Sequence, residues 1–140
     1  MSKKCTGHCA CGQLAYGFDT EPTFVANCHC TDCKRASGGE RATIALVPET
    51  DFNVFSGKEL LLRSESRDMC GHGLDRVFCA NCGSRVVSNK LKDLPGYVFV
   101  QEGTLDRLDE WFAPKVEIFT WSREKWMPPL DVPQFDHGPS

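Results

Sequence analysis

Nine cysteines in 140 residues, seven of them gathered into three tight groups, restrict this chain more than any other feature of its sequence. The groups are Cys9-x-Cys11 within Gly7-His8-Cys9-Ala10-Cys11-Gly12, then Cys28-His29-Cys30-Thr31-Asp32-Cys33, then Cys79-x-x-Cys82 within Phe78-Cys79-Ala80-Asn81-Cys82-Gly83. An odd number of cysteines cannot pair completely within one chain, and thiols clustered at such spacings read as metal ligands rather than as a disulfide framework. The N-terminus, Met1-Ser2-Lys3-Lys4-Cys5-Thr6-Gly7-His8, carries no apolar run like that of a signal peptide. No stretch reaches the roughly 20 apolar residues of a membrane span. The expectation is a cytoplasmic protein with reduced thiols and no membrane partner.

A chain of this length is expected to form one domain. An apolar share of 41% with 25% charged residues excludes a disordered chain or a fibre. The net charge of -3 leaves no excess of Lys and Arg to neutralise a phosphate backbone, so nucleic acid is not an expected partner. Short β-branched and aromatic runs alternate with Gly, Pro, Asn and Asp, the signature of an all-β domain. Strands are expected at 13–18, 23–27, 41–47, 52–55, 59–63, 76–78, 85–88, 97–102 and 116–120. Short helical turns are expected at 31–36, closed by Gly38-Gly39, and at 122–126, where Ser122 could cap and Pro128-Pro129 must terminate. From Pro128 onward the sequence has four prolines and no periodicity, which divides the chain into a domain at 1–127 and an extended tail at 128–140.

Two close cysteine pairs far apart in sequence, Cys9/Cys11 and Cys79/Cys82, suit one tetrahedral zinc of structural type. Such an ion staples distant turns together, and Gly12 and Gly83 supply backbone free to wrap it. Ligand binding and chain ordering are then one event. The cluster Cys28, Cys30, Cys33 offers three thiolates within six residues. If 27–30 is extended, alternation puts Cys28 and Cys30 on one face and His29 on the other, with Cys33 returning from the following helical turn. Three protein ligands with an open fourth position are the pattern of catalytic zinc. The alternative is a second closed site completed by Cys5, Cys70, His8 or His72; Cys5 and Cys70 also suit ordinary unliganded thiols. Three thiolates on a zinc dication leave a formal charge of -1, which favours activation of a thiol over activation of water. A coordinated substrate thiol would lose its proton and attack a small electrophile such as an aldehyde carbon. His29, Asp32, Glu40 and Glu102 are proton-carrier candidates by chemistry. The H-x-E…P-C-x-x-C signature of nucleobase deaminases is absent.

In this order, Gly7-x-Cys9-x-Cys11-Gly12, Cys28-His29-Cys30-x-x-Cys33-Lys34-Arg35-x-x-Gly38 and Phe78-Cys79-x-x-Cys82-Gly83-Ser84 resemble the glutathione-dependent formaldehyde-activating enzyme family, also called the CENP-V/GFA domain. The likeness runs from Cys5 to Trp126 and includes Gly103-Thr104-Leu105-Asp106 and the 114–126 stretch with Ile118 and Trp121; Glu117 stands where the family frequently carries His. The resemblance implies an all-β, zinc-stapled β-tent of several coiled sheets with short helical turns. It implies two Zn2+ per chain, a structural ion at Cys9, Cys11, Cys79 and Cys82 and a catalytic one at Cys28, Cys30 and Cys33. The implied activity is that of a carbon-sulfur lyase of S-hydroxymethylglutathione synthase type, with a small-molecule thiol such as glutathione, or its aldehyde adduct, as partner. A non-catalytic, zinc-stapled binding module of the same fold is the rival reading, since fold does not fix function.

Overall fold

The computed structural model describes residues 4–65 and 73–138. Among the described residues ten strands run in chain order: β1 Cys5–His8, β2 Ala15–Phe18, β3 Phe24–Cys28, β4 Ala42–Pro48, β5 Asn53–Ser56, β6 Leu61–Glu65, β7 Asp75–Cys79, β8 Arg85–Asn89, β9 Tyr97–Gln101 and β10 Val116–Ile118. They form two sheets, one in the order β1-β2-β5 and one in the order β10-β3-β4-β9-β8-β7-β6. The fold is all-β. Every strand expected from the sequence is present, and β1 is added: its Cys-Thr-Gly-His sequence lacks alternation, but it pairs antiparallel with β2, from Cys5 opposite Phe18 to His8 opposite Ala15. No helix among the described residues is long and apolar enough to cross a membrane.

The α-helix, α1, spans Thr31–Ser37. Cys30 caps its start, its sulfur accepting from the Cys33 amide at 3.2 Å, and Gly38, at φ 75°, closes its end by donating to the Lys34 carbonyl. The second expected turn lies earlier than its sequence suggests, as a 3-10 turn at Thr120–Ser122. Ser122 does not cap a helix at 122–126; its hydroxyl instead donates to the carbonyl of His29 at 2.7 Å. The C-terminal segment runs alongside β10: Glu117 donates to the Pro133 carbonyl and accepts from the Phe135 amide, and Phe119 donates to the His137 carbonyl.

Period-two alternation gives the large sheet two distinct faces. Val25, Ala45, Val47, Val98 and Val100 point one way and join Tyr16, Phe18, Leu14, Val77 and Val86 in the principal core between the two sheets. Ala26, Cys28, Ala42, Ile44 and Ile118 point the other way, into a second cluster completed by Cys30 and Phe119. Parallel pairing of β10 with β3 sets Glu117 beside Asn27 and Ile118 beside Cys28, so the same alternation sorts polar groups as well as apolar ones.

Close approach of the small sheet to the Glu102–Thr104 turn depends on Gly7. A Cβ there would collide with the end of the fully buried Tyr16 ring and lie 2.7 Å from the Thr104 carbonyl oxygen. Gly7→Ala is therefore expected to lower stability by about 1–3 kcal/mol. Gly103→Ala, where a Cβ meets nothing within 4 Å, should change it by less than about 0.5 kcal/mol. Urea denaturation midpoints of the two variants check the contrast.

Candidate metal centres and an adjoining cavity

Two turns of like construction bring the first four cysteines together. In one, Cys9 donates to the Leu14 carbonyl and accepts from Gly12, at φ 80°; in the other, Cys79 donates to the Ser84 carbonyl and accepts from Gly83, at φ 79°. The positive φ of each glycine folds the chain back around its own sulfurs. The sulfurs of Cys9, Cys11, Cys79 and Cys82 all lie within 4.8 Å of one another, with Cys9 to Cys11 at 3.5 Å and Cys11 to Cys79 at 3.9 Å. Zinc thiolates at about 2.3 Å in a tetrahedron stand about 3.8 Å apart, so this donor set fits such an ion. The Ala10 amide donates to Ser84 Oγ, locking one turn to the other. The Leu14 amide points at Cys9 Sγ from 3.3 Å, and the Ser84 hydroxyl and amide hold the Cys82 thiol down at about 5. Both interactions favour thiolate over thiol.

The second group is Cys28, at the end of β3, Cys30, at the cap of α1, and Cys33, within its first turn; their sulfurs also lie within 4.8 Å of one another. Cys28 and Cys33 sulfurs are 3.0 Å apart. The adjacent Cys30 and Cys33 thiols, and then burial, push the Cys28 thiol well above its ordinary range. Three sulfurs this close share too much negative charge to ionise together unless a cation joins them, and a divalent ion is the group this donor set fits. On Cys33 the hydrogen bond with Cys28 favours the thiolate but is outweighed by Cys30 and burial; Arg76 is near enough for its charge to act in the thiolate's favour. Lys34 fixes the helix that carries Cys33 by donating to the Ser122 carbonyl at 2.8 Å and pairing with Glu124 at 2.7 Å.

Among the described residues no fourth Cys, His, Asp or Glu joins this triad. His8 lies on β1, 2.5 Å from Asp106, and Cys5 is buried in the principal core, where burial raises its thiol. Cys70 and His72, the other candidates for closing the site, lie outside the described residues.

A cavity of about 710 Å3 opens beside the triad, with Cys28 and Cys33 on its wall. Phe24, Ile44, Leu46, Leu91, Phe99 and Phe119 give it an apolar lining, while Arg76, Arg85, Ser88 and Gln101 make a polar quarter. The proton-carrier candidates taken from sequence do not line it. Glu40 and Glu102 line a separate cavity with Asn27, Thr43 and Glu117, on the opposite face of the sheet, where burial pushes Glu102 up to about 7. His29 turns to that face as well. Besides Cys28 and Cys33, the titratable groups that the described residues bring to the triad's cavity are Arg76, Arg85, Asp93 and His137, of which the last is delivered by the C-terminal segment. No motif marks His137 in the sequence, and only its proximity to β10 reveals it.

His29 meets a partner that sequence reasoning did not assign. Its Nε2 lies 2.7 Å from Oε1 of Glu117, and both side chains are buried. Oε2 of Glu117 accepts from the Leu130 amide at 2.8 Å, from Gln134 at 2.9 Å and from Arg123 at 3.3 Å. Burial alone would push this carboxyl up, yet the bonds from His29, Leu130 and Gln134 outweigh it and hold the group down at about 2. An ionised Glu117 only accepts, so His29 donates from Nε2. The one signal in the sequence was Glu117 itself, an acidic residue at a position where the resemblance leads one to expect His.

A two-sheet, all-β chain with seven cysteines gathered into two sulfur groups is the class that these elements define. The family of glutathione-dependent formaldehyde-activating enzymes matches residues 4–122, and the chain belongs to it. Its fold is similar to that of a crystallised Rhodobacter sphaeroides protein from the Northeast Structural Genomics programme, at 21% identity and a TM-score of 0.60 over 75% of this chain and 91% of that one. No curated protein matches the sequence.

The depressed Glu117 carboxyl has a testable sign. Its stabilising contribution is fully present above the ordinary carboxyl value near 4.5 and is lost as pH falls toward about 2. The stability advantage of the wild type over Glu117→Gln should therefore be constant from pH 7 to pH 5 and shrink by about 1 kcal/mol at pH 3.5. Paired urea titrations at the three pH values read this difference directly; an advantage that grows on acidification would contradict it.

Proposed function

We propose that the chain is a zinc-dependent enzyme of carbon-sulfur lyase type, acting on the adduct of a small thiol and an aldehyde. In this reading Cys28, Cys30 and Cys33 hold the catalytic zinc and Cys9, Cys11, Cys79 and Cys82 the structural one. The observation that carries it is the position of the triad: three sulfurs from one short segment, two of them on the wall of a cavity of small-molecule size. When bound there, zinc would supply a Lewis acid that takes the substrate sulfur and lowers its proton affinity. Family membership supports the reaction class.

The chain's own groups have separable roles. The apolar walls exclude water from the reacting end, which strengthens every charge interaction there. Arg76, whose charge favours the Cys33 thiolate, offsets part of the negative charge that three sulfurs bring together. His137 carries a proton to or from the carbonyl oxygen, being the imidazole that the described residues bring to this cavity, whereas His29 is committed to Glu117 on the far face. His29 and Glu117 instead hold the backbone between Cys28 and Cys30.

Cys30→Ser should reduce metal content from near two zincs per chain to near one, leave the strand signal in circular dichroism intact, and abolish turnover of thiol-aldehyde adducts. His137→Gln should lower turnover on the order of 100-fold with two zincs retained. Unchanged turnover in Cys30→Ser would remove the triad from the chemistry. A mild chelator should strip one zinc from a folded chain, and a stronger one the second together with the fold, because three ligands and an exchangeable position hold an ion less completely than four.

A further inference from the structure

The shape and lining of the cavity beside the triad bear on which adduct it takes. A water's share of liquid volume is about 30 Å3, and a formaldehyde unit is not much larger. A space of about 710 Å3 is therefore far in excess of a one-carbon carbonyl and lies within the range of roughly 300–1,000 Å3 of small-molecule sites. Its walls come from regular alternation on four neighbouring strands: Phe24 on β3, Ile44 and Leu46 on β4, Phe99 on β9 and Ile118 on β10. Leu91 and Leu94, from the β8–β9 connection, add to the apolar wall. Among the polar groups on the wall, Arg76 on β7 stands opposite Ser88 on β8; the others are Arg85, Gln101, Asp93 between the two leucines, and His137 from the C-terminal segment. One of them, Arg76, is electrostatically coupled to Cys33. The cavity thus joins sulfurs and a few charged side chains to a wall that is mostly apolar.

Glutathione fits such a wall poorly. Its two carboxylates and its ammonium would have to meet Arg76, Arg85 and Asp93, the charged side chains on the wall, while the aromatic and aliphatic remainder offers its peptide groups no partner. An apolar carbon body gains there instead, on the order of 0.8 kcal/mol per buried methylene.

We infer that the substrate of this chain carries an apolar carbon chain or ring of several carbons on the reacting sulfur-carbon pair, and that this body fills the cavity lined by Phe24, Ile44, Leu46 and Phe99. The inference rests on the proposed thiol-aldehyde chemistry at the triad and names its substrate class. The reaction remains a balanced addition: the thiol sulfur forms a bond to the carbonyl carbon, the carbonyl π pair moves to oxygen, and the thiol's proton ends on that oxygen, with no change of oxidation state. Cleavage is the reverse. The apolar body can be attached to the sulfur or to the carbonyl carbon, and the two arms of the test separate these sources.

The test measures binding to the zinc-loaded protein by calorimetry, in one arm with straight-chain thiols of two to eight carbons and in the other with straight-chain aldehydes of one to eight carbons, with glutathione as reference. In the arm that matches the natural substrate, affinity should rise about fourfold per methylene until the cavity is filled, and the longer members should exceed glutathione. Phe99→Ala should reduce the gain per methylene; Leu94→Glu, on a loop and only partly covered, makes the same test should the first variant fail to fold. Affinity independent of chain length in both arms, or glutathione binding more tightly than every long-chain member, would overturn the inference. The triad is read separately through Cys33→Ser. A chain-length gain that survives unchanged in that variant, with no loss of thiol affinity, leaves the apolar cavity standing and removes the proposed chemistry beside it.

Discussion

The architecture turns on the convergence of two glycine-closed loops. Cys9 and Cys11 lie between β1 and β2 of the small sheet, Cys79 and Cys82 between β7 and β8 of the large one, and their sulfurs meet although Cys11 and Cys79 are 68 positions apart in sequence. Other contacts join the same parts, among them the shared apolar core and the bonds from Thr6 and His8 to Asp106, but such long-range contacts are reached only after a large loss of chain entropy. Apparent zinc affinities of about 10–16 kcal/mol in small structural sites are as large as the whole stability of an ordinary domain, about 5–15 kcal/mol. In the proposed reading the ion at these four sulfurs therefore decides whether the two sheets stay assembled, and the apolar core between them, from Tyr16 to Val86, consolidates an arrangement that the thiolates define.

The second consequence follows from period-two alternation near the end of one strand. Cys28 falls on the cavity face of β3 and its neighbour His29 turns to the far face, so a single step along the backbone separates sulfur chemistry from a buried histidine–carboxylate hydrogen bond. Glu117 reaches His29 because β10 runs parallel to β3 with Glu117 opposite Asn27. The carboxylate gathers four donors from four different places in the chain, and its burial makes each of them costly to lose. What it fixes is the peptide between two of the three clustered cysteines. The far face thus sets the geometry of the near one without contributing an atom to the cavity.

Much of this was legible in the sequence, for identifiable reasons. The strands from Ala15 to Ile118 announce themselves through β-branched runs between turn residues, and Gly38 announces the end of the helix. The grouping of sulfurs follows from spacing, and the turning-away of His29 from alternation alone. β1 was not legible because Cys-Thr-Gly-His has no period, and it is a strand through its neighbour β2 and the space that Gly7 leaves for Tyr16. The turn at Thr120–Ser122 was displaced because Ser122 spends its hydroxyl on the His29 carbonyl, a contact 93 positions distant in sequence. No local pattern could disclose that bond, nor that an aperiodic, proline-rich segment would bring His137 to the cavity.

The C-terminal segment ties the two faces together. Its Pro133 and Phe135 backbone groups bond Glu117, its Gln134 side chain bonds the Glu117 carboxylate and the Arg123 guanidinium, and its His137 carbonyl receives the Phe119 amide. Phe119 is held at positive φ, 55°, a conformation costly for an aromatic residue, and the surrounding bonds maintain it. Its ring meets the His137 imidazole edge to face at 6.3 Å, on the wall of the triad's cavity. The same short stretch therefore completes the acceptor set of a buried carboxylate on one side of β10 and supplies a titratable side chain on the other. Because alternation along β10 sends Glu117 to one face and Ile118 to the other, a segment paired to this strand contacts both environments at once, which is why a stretch with no periodicity of its own can be integral to the site.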